Sequence, residues 1–507
     1  MSKAQTAKTT EAGVQTVEAP VPATGTSLLD GMLETQQKFV DLIKPDDTAG
    51  KELAESAFKE FLANTVKPDQ IISKDVEANL KWWINEIDKK LSAQLNEIMH
   101  HPDFQKLEGT WRGLHYLVDQ TETGEFLKLR VMNVSKRELF KDLERAIEFD
   151  QSQMFKKVYE EEYGILGGHP FGMLVGDYEF DRHPEDVAML QKIAGVAAAA
   201  HAPFVAAVAP KMFGLEDFTS LPKPRDLTKI FGTVEYAAWK SFREHPDSRY
   251  VALSMPRVLA RMPYGDDFKR VDEFRYEEGV DGTDHKKYQW MNAAWAYAAR
   301  VTDAFAKDGW FGRTRGVEGG GKVENLPVHT FKTDDGEIAM KCPSEIAITD
   351  RREFELSNLG FLPLIHYKNR DCAAFIGTQT CQRPKEYFDN RATSNAALST
   401  KLNYMLCVSR FAHYLKVMAR DKIGSYMEVK DCEKWLNSWI SNYVILNPEI
   451  AGEELKAQSP LADARIDVEA VPGKPGWYRA IAYLRPHFQL ETLTASMRLV
   501  AEIPKKK

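Results

Sequence analysis

Residues 184–208 read PEDVAMLQKIAGVAAAAHAPFVAAV, and this stretch decides the fold class. Pro184 to Ala200 is helical. Its Ala-rich run from Ala194 to Ala200 is short and flanked by Lys192 and His201, so it fits a buried helix better than a membrane span. Phe204 to Val208 follows as a short, uninterrupted apolar strand. The alternation continues on both sides, with strands at Phe171 to Val175 and Tyr250 to Ser254 and a helix at Val234 to Arg243. Short apolar strands separated by helices predict a parallel or mixed sheet covered on both faces. The fold class is therefore mixed α/β, with this alternation as its middle.

Working outward toward the N-terminus, Ser135 and Glu138 have capping-box spacing and open a helix through Ile147. Phe126 to Val134 reads as a strand. Leu107, Trp111, Leu114 and Leu117 recur at helical spacing, with Asp103 as the expected cap. A long helix is expected from about Ser73 to His100, with Asp75 and Glu77 in its first turn, where carboxylates favour the positive end of the dipole. A further helix covers about Lys51 to Asn64. Before it, Ser27 can cap an amphipathic helix that carries Leu28, Leu29, Met32, Leu33, Phe39, Leu42 and Ile43. Residues 1–26 hold too little bulky apolar surface to offset ordering entropy and are expected to be disordered.

Toward the C-terminus, residues 263–285 are polar and turn-rich, a surface insertion. A helix is expected from about Lys287 to Lys307, a loop from Gly309 to Pro327, and short strands within 345–377, including Phe361 to Tyr367 and Ala373 to Gly377. A helical block starts near Thr393; Leu398, Leu402, Met405, Val408, Ala412, Leu415 and Ala419 step by threes and fours, and Gly424 ends it. Another helix spans about Lys430 to Val444. In Arg465 to Ala470, apolar Ile466, Val468 and Ala470 alternate with charged neighbours. Pro472 to Gly476 is a turn, Trp477 to Leu484 returns as the second arm of a hairpin, and Ser496 to Ile503 supplies another strand. The expected division is a tail over 1–26, a helical segment over 27–66, an α/β domain over 67–385, and helices plus strands over 386–507.

Composition excludes several function classes. The formal net charge of −7, from 67 basic and 74 acidic side chains, lacks the concentrated basic face that nucleic acid requires. Five widely spaced cysteines with no CxxC pair signal neither zinc nor a disulfide framework, which points to a reducing compartment. No stretch approaches a transmembrane helix, so membrane insertion is not expected. Gly316 to Val323 (GVEGGGKV) matches part of a phosphate-binding loop. However, Val323 replaces the Mg²⁺-holding hydroxyl, and Leu326-Pro327 stands where a helix should begin. A surface or interface loop is the better reading, and a nucleotide-binding enzyme the remote alternative. Cys372 and Cys381 read as buried structural thiols. Trp82, Trp83, Trp111, Trp435 and Trp439 lie on predicted helices and read as core. No catalytic, cofactor or metal set is signalled.

Four segments carry a resemblance. They are Leu95 to Phe104 (LNEIMHHPDF) with Leu107 to Leu117 (LEGTWRGLHYL); Cys407 to Lys416 (CVSRFAHYLK) with Arg420 to Gly424; Glu433 to Asn437 (EKWLN); and Leu484 to Glu491 (LRPHFQLE). In this order they resemble the large subunit of the type VI secretion contractile sheath, the TssC/VipB family. The resemblance spans nearly the whole chain after residue 26, and the 316–327 loop looks like a family loop. It implies a structural protein with no catalytic site, cytoplasmic in a bacterium and anchored through a baseplate to the envelope. It implies co-assembly with a small sheath subunit (TssB/VipA) and with further copies of itself in a helical polymer around an Hcp tube. It also implies contraction that propels tube and spike, and recycling by the ClpV ATPase. In such a sheath, Leu28, Leu29, Met32 and Leu33 correspond to the ATPase-recognition helix. Ile466, Val468, Tyr478, Ala480 and Ala482 are expected in a β-sheet exchanged between subunits. Glu428, Lys430, Asp431, Glu433 and Lys434 are candidates for the tube-facing surface. A phage-like contractile sheath shares this physics.

Overall fold

The computed structural model describes residues 50–53, 55–57, 59, 76–333, 335–474 and 476–489. The chain divides into two compact units, Met1–Ala93 with Glu273–Tyr276, and Gln94–Asp272 with Glu277–Lys507. In the first unit the described residues of 50–59 are helical, as is the stretch from Val76 that continues to Met99. Trp82, Ile84, Ile87 and Leu91 are exposed on that helix. The expected N-terminal helix with Leu28, Leu29, Met32 and Leu33, and the expected strand at Ser496 to Ile503, lie outside the described residues.

The second unit is built on a four-stranded, wholly parallel sheet. Its order is Leu174–Phe180, Phe204–Val208, Val251–Met255 and Leu362–Pro363. Every residue of the two central strands is buried, because the sheet is covered on both faces. Phe204, Ala206 and Val208, with Val251, Leu253 and Met255, face a core shared with the helix Pro184–Ala200. Val205 and Ala252 face the opposite core, shared with the helix Ala293–Asp308. Period-two alternation thus splits each apolar strand between two cores. The Pro184–Ala200 helix and Phe204–Val208 strand match the expected bounds, and the Ser135/Glu138 capping box is present.

Several local expectations fail for identifiable reasons. Residues 126–134 form no ladder, and Phe126 and Val131 stand 85% and 70% exposed. β-propensity needs a strand to pair with, and none lies beside this segment among the described residues. His101, not Asp103, caps the helix Pro102–Asp119: its Nδ1 accepts from the Asp103 N–H at 3.3 Å. The buried face of that helix is Gly109, Gly113 and Leu117, while Leu107 and Trp111 are exposed. The helix Asp350–Asn358 arises where only strands were expected; it buries just Leu356 and Ser357, too few positions to set a helical period. The helix of the 287–307 region begins late, at Ala293, capped by Asn292.

The two glycines of Pro102–Asp119 explain why the buried face keeps Leu114 and Leu117 but turns away from Leu107 and Trp111. A Cβ on Gly113 would lie 2.2 Å from the Trp295 ring, and one on Gly109 2.5 Å from the Trp290 carbonyl oxygen. Gly113→Ala is therefore expected to destabilise the chain by about 1–3 kcal/mol, even though alanine is the better helix former by about 1 kcal/mol. A lowered thermal midpoint checks this.

The polar insertion at 263–285 is tied down by a buried ion cluster. Arg261 donates to Glu278 at 2.6 and 2.9 Å and to Glu108 at 2.7 Å, and Arg112 reaches Glu108 at 2.6 Å. Glu278 also accepts from the Tyr264 N–H at 2.8 Å and is 1% exposed. One guanidinium thereby joins the Pro102–Asp119 helix to the insertion.

Candidate assembly interface

The long helix Leu402–Asp421 passes from the α/β core to a smaller C-terminal cluster. At its middle, burial pushes His413 down to about 4, so its ring is neutral and Nε2–H donates to the Ala200 carbonyl at 2.8 Å. The cluster is aromatic: Trp310 stacks on Phe411 at 4.3 Å, and Tyr443 meets Trp310 edge-on at 5.2 Å. The helix Val429–Ile440 adds Leu436 and Ile440.

Against this cluster lies an antiparallel hairpin of Leu461–Ala470 and Tyr478–Pro486. Gly473 and Gly476 turn it at positive φ, 77° and 78°. The ladder holds nine partner pairs, including Ile466↔Ala482 and Val468↔Ala480. Ile466 and Val468 are buried, whereas Arg465 lies on the other face, paired to Asp467 and set over the Tyr483 ring.

The hairpin's two edges differ. Along Leu461–Ala470, the Ile466 N–H donates to Asn437 Oδ1 at 2.9 Å and its carbonyl accepts from Asn437 Nδ2 at 2.6 Å. The Val468 N–H points to Glu433 Oε2 at 3.5 Å, and the Ile445 N–H donates to the Leu461 carbonyl at 3.2 Å. Because Ile466 and Val468 bond outward, their ladder pairs are of the non-hydrogen-bonded kind. By the same parity, the N–H and C=O groups of Tyr478, Ala480, Ala482 and Leu484 point away from the hairpin. Among the described residues no strand pairs with that second edge.

The residues expected in an exchanged sheet therefore share one hairpin but not one environment. Ile466 and Val468 belong to the chain's own core, and Tyr478, Ala480 and Ala482 are exposed. Of the charged set, Glu428 immediately precedes the helix Val429–Ile440, and it is exposed together with Lys430, Asp431 and Lys434. Glu433 instead turns toward the hairpin. Asn437 was quoted only as part of a motif. Its signal was the Glu433/Asn437 spacing of four, which places both on one helix face.

The 316–323 loop is a packing device. The Gly316 N–H donates to the Phe375 carbonyl at 2.7 Å and the Gly321 N–H to the Gly316 carbonyl at 2.9 Å, so these amides are spent internally. Lys322–Val323 is a strand paired to Ala373–Ala374, where a phosphate loop would begin a helix. Lys322 pairs with Glu324 at 2.5 Å. Lys322→Ala is expected to leave the thermal midpoint unchanged and to show the same absence of nucleotide binding as the parent by calorimetry. Burial pushes the thiols of Cys381 and Cys407 up to about 12, which disfavours the thiolate. Among the described residues no group of three or more His, Cys, Asp or Glu could hold a metal ion, and no helix is long and apolar enough to cross a membrane. Trp82 and Trp111 are exposed, contrary to the core role expected of them.

Comparison with known proteins gives concordant matches. Residues 81–382 match the family described as EvpB/VC_A0108, tail sheath N-terminal domain, and residues 391–503 the tail sheath gpW/gp25-like domain. The chain is 51% identical over 489 residues to the type VI secretion system sheath protein TssC1 of Pseudomonas aeruginosa, covering 95% of this chain and 98% of that one. A chain in the cryo-EM structure of the anti-feeding prophage baseplate aligns at 10% identity and a TM-score of 0.33. It covers 62% of this chain and 66% of that one, too loose a likeness to define a common fold.

Proposed function

The chain belongs to the VipB tail sheath family as a type VI secretion sheath large subunit, and from that premise we propose that it is a force-transmitting structural protein without a catalytic site. It co-assembles with the small sheath subunit (TssB/VipA) around an Hcp tube, and contraction of the polymer drives the tube forward. One observation carries the assembly reading: the hairpin ends in an edge that no strand among the described residues pairs with, and its alternate backbone groups point outward at Tyr478, Ala480, Ala482 and Leu484. Unpaired edges invite strand addition, and addition in a heterologous, non-closing contact generates a filament. Neighbouring sheath chains supply the added strand.

The exposed charges Glu428, Lys430, Asp431 and Lys434 contribute the tube-facing surface, where screened pairs hold the tube and still release it. Leu28, Leu29, Met32 and Leu33 form the handle for ClpV, which recycles contracted sheath.

Electron microscopy of this chain co-expressed with its small subunit tests the assembly reading. Hollow tubules that require both chains support it; soluble particles under all conditions would sink it. Deletion of 464–503 is expected to give soluble heterodimers without tubules. Since it also removes Ile466 and Val468 from the chain's own core, a point substitution on the open edge is the cleaner test.

A further inference from the structure

We propose that Asn437 and Glu433 close the Leu461–Ala470 edge of the hairpin, so that a neighbouring chain's strand adds only along Tyr478–Pro486. This rests on the strand-exchange reading above and deepens it: the exchange sheet has a built-in direction of growth.

The geometry of Asn437 carries the argument. Its side-chain amide both donates to and accepts from one residue, Ile466, at 2.6 and 2.9 Å. Those are the two bonds that a paired residue of an adjacent strand would make. Nδ2 also donates to the Glu433 carbonyl at 2.9 Å, so both of its hydrogens are engaged and the amide orientation is fixed. Four residues earlier, the Glu433 carboxylate faces the next outward amide, Val468. The i,i+4 spacing on a helix thus covers the i,i+2 spacing of outward groups on a strand. Leu436 and Ile440, 3% and 1% exposed, hold that helix against the hairpin. A foreign strand about 4.8 Å from Leu461–Ala470 would have to displace both bonds and the packing.

Among the described residues the opposite edge has none of these obstructions. Between Tyr478 and Leu484 there is no proline, lysine or bulge, and Arg479 is the one charged side chain among the devices that usually blunt an edge. Ala480 and Ala482 are small and exposed. The closed edge carries the ladder's one register irregularity, between Leu461 and Asp463. Asn437 and Glu433 are therefore positioning residues that set which edge is offered, and the partner that fits the offered edge is one extended segment of a neighbouring sheath chain.

Three measurements test this, two on the heterodimer and one on assembled tubules. In the heterodimer, the Ile466 amide is expected to exchange slowly and the Ala482 amide fast. Asn437→Ala should speed Ile466 exchange about tenfold, the equivalent of one lost hydrogen bond. By sedimentation, Asn437→Ala is expected to self-associate through the opened edge, and to do so even when combined with Ala482→Pro. A merely structural role for Asn437 would not make the double variant associate. An Asn437→Ala variant as monodisperse as the parent, with unchanged Ile466 exchange, overturns the proposal. In tubules, a foreign strand beside Tyr478–Pro486 with the Asn437–Ile466 bonds intact supports it. A foreign strand beside Leu461–Ala470 overturns it while leaving strand exchange standing; no foreign strand at either edge removes strand exchange and this inference together.

Discussion

Ala482→Pro is expected to give a chain that folds and pairs with the small subunit yet forms no tubules. Proline lacks the backbone N–H and fixes φ near −65°, and within sheets it is tolerated where the missing donor faces outward. The Ala482 N–H faces outward, because its partner Ile466 bonds to Asn437 and not across the ladder. The hairpin therefore keeps its own rungs while the offered edge loses a donor and gains a ring. Tubule yield in co-expression, counted by electron microscopy, should fall by more than about tenfold, with a thermal midpoint close to the parent's. Ile481→Pro is the control: Ile481 pairs with Asp467 in a hydrogen-bonded rung, so this change should damage the hairpin itself and lower the midpoint. Tubules of normal length from Ala482→Pro would exclude this edge as the site of exchange.

The second large effect is on stability. Arg261→Met is expected to cost about 3–5 kcal/mol, because it leaves Glu278 buried without its cation. The same cluster sets an acid dependence. Burial alone would raise the Glu108 carboxyl, but hydrogen bonds and charge from Arg261, then from Arg112, outweigh it and hold the group below its ordinary value. A carboxyl depressed in the folded state contributes stability above its unfolded value, and that contribution is lost as pH falls through the folded value. The parent should therefore keep this contribution down into the acid range below the ordinary glutamate value. In Arg261→Met the loss should begin at higher pH. Circular dichroism against pH and against denaturant reads both effects. Parent-like acid and denaturant midpoints in the variant would show that the cluster holds nothing together.

The α/β middle was legible because its signals are local and uninterrupted. Pro184–Ala200 and Phe204–Val208 carry their own boundaries in Pro184, His201 and Pro203. The hairpin was legible for a similar reason, alternation followed by a glycine–proline turn. What escaped the sequence depends on partners distant along the chain. Gly109 and Gly113 look like weak points in a helix until the Trp290 backbone and the Trp295 ring, about 180 residues later, fill the space they leave. Leu107 and Trp111 have helical spacing on a face that turns out to be exposed, since periodicity reports a face and not what covers it. Phe126 to Val134 has a strand's composition and no ladder. In the C-terminal hairpin, alternation identified the two strands but could not separate Ile466 and Val468, held in the chain's own core, from Ala480 and Ala482, left open. That distinction is made by the Val429–Ile440 helix, which covers one strand and stops short of the other.

The nine-pair register of the hairpin has a mechanical consequence. A neighbour's strand laid along Tyr478–Pro486 would run parallel or antiparallel to that strand, joined to it by rungs that cross the strand direction. Tension along the strands then loads the rungs together, in shear, while a sideways pull would open them one at a time like a zipper. The inner strand would pass the load to Ile466 and Val468 and so to the aromatic cluster around Phe411, with which they share a core. From there the Leu402–Asp421 helix, fastened by His413 to the end of Pro184–Ala200, would deliver it to the parallel sheet. In that arrangement the hairpin would work as a lap joint, strong along the axis of pull and compliant to peeling.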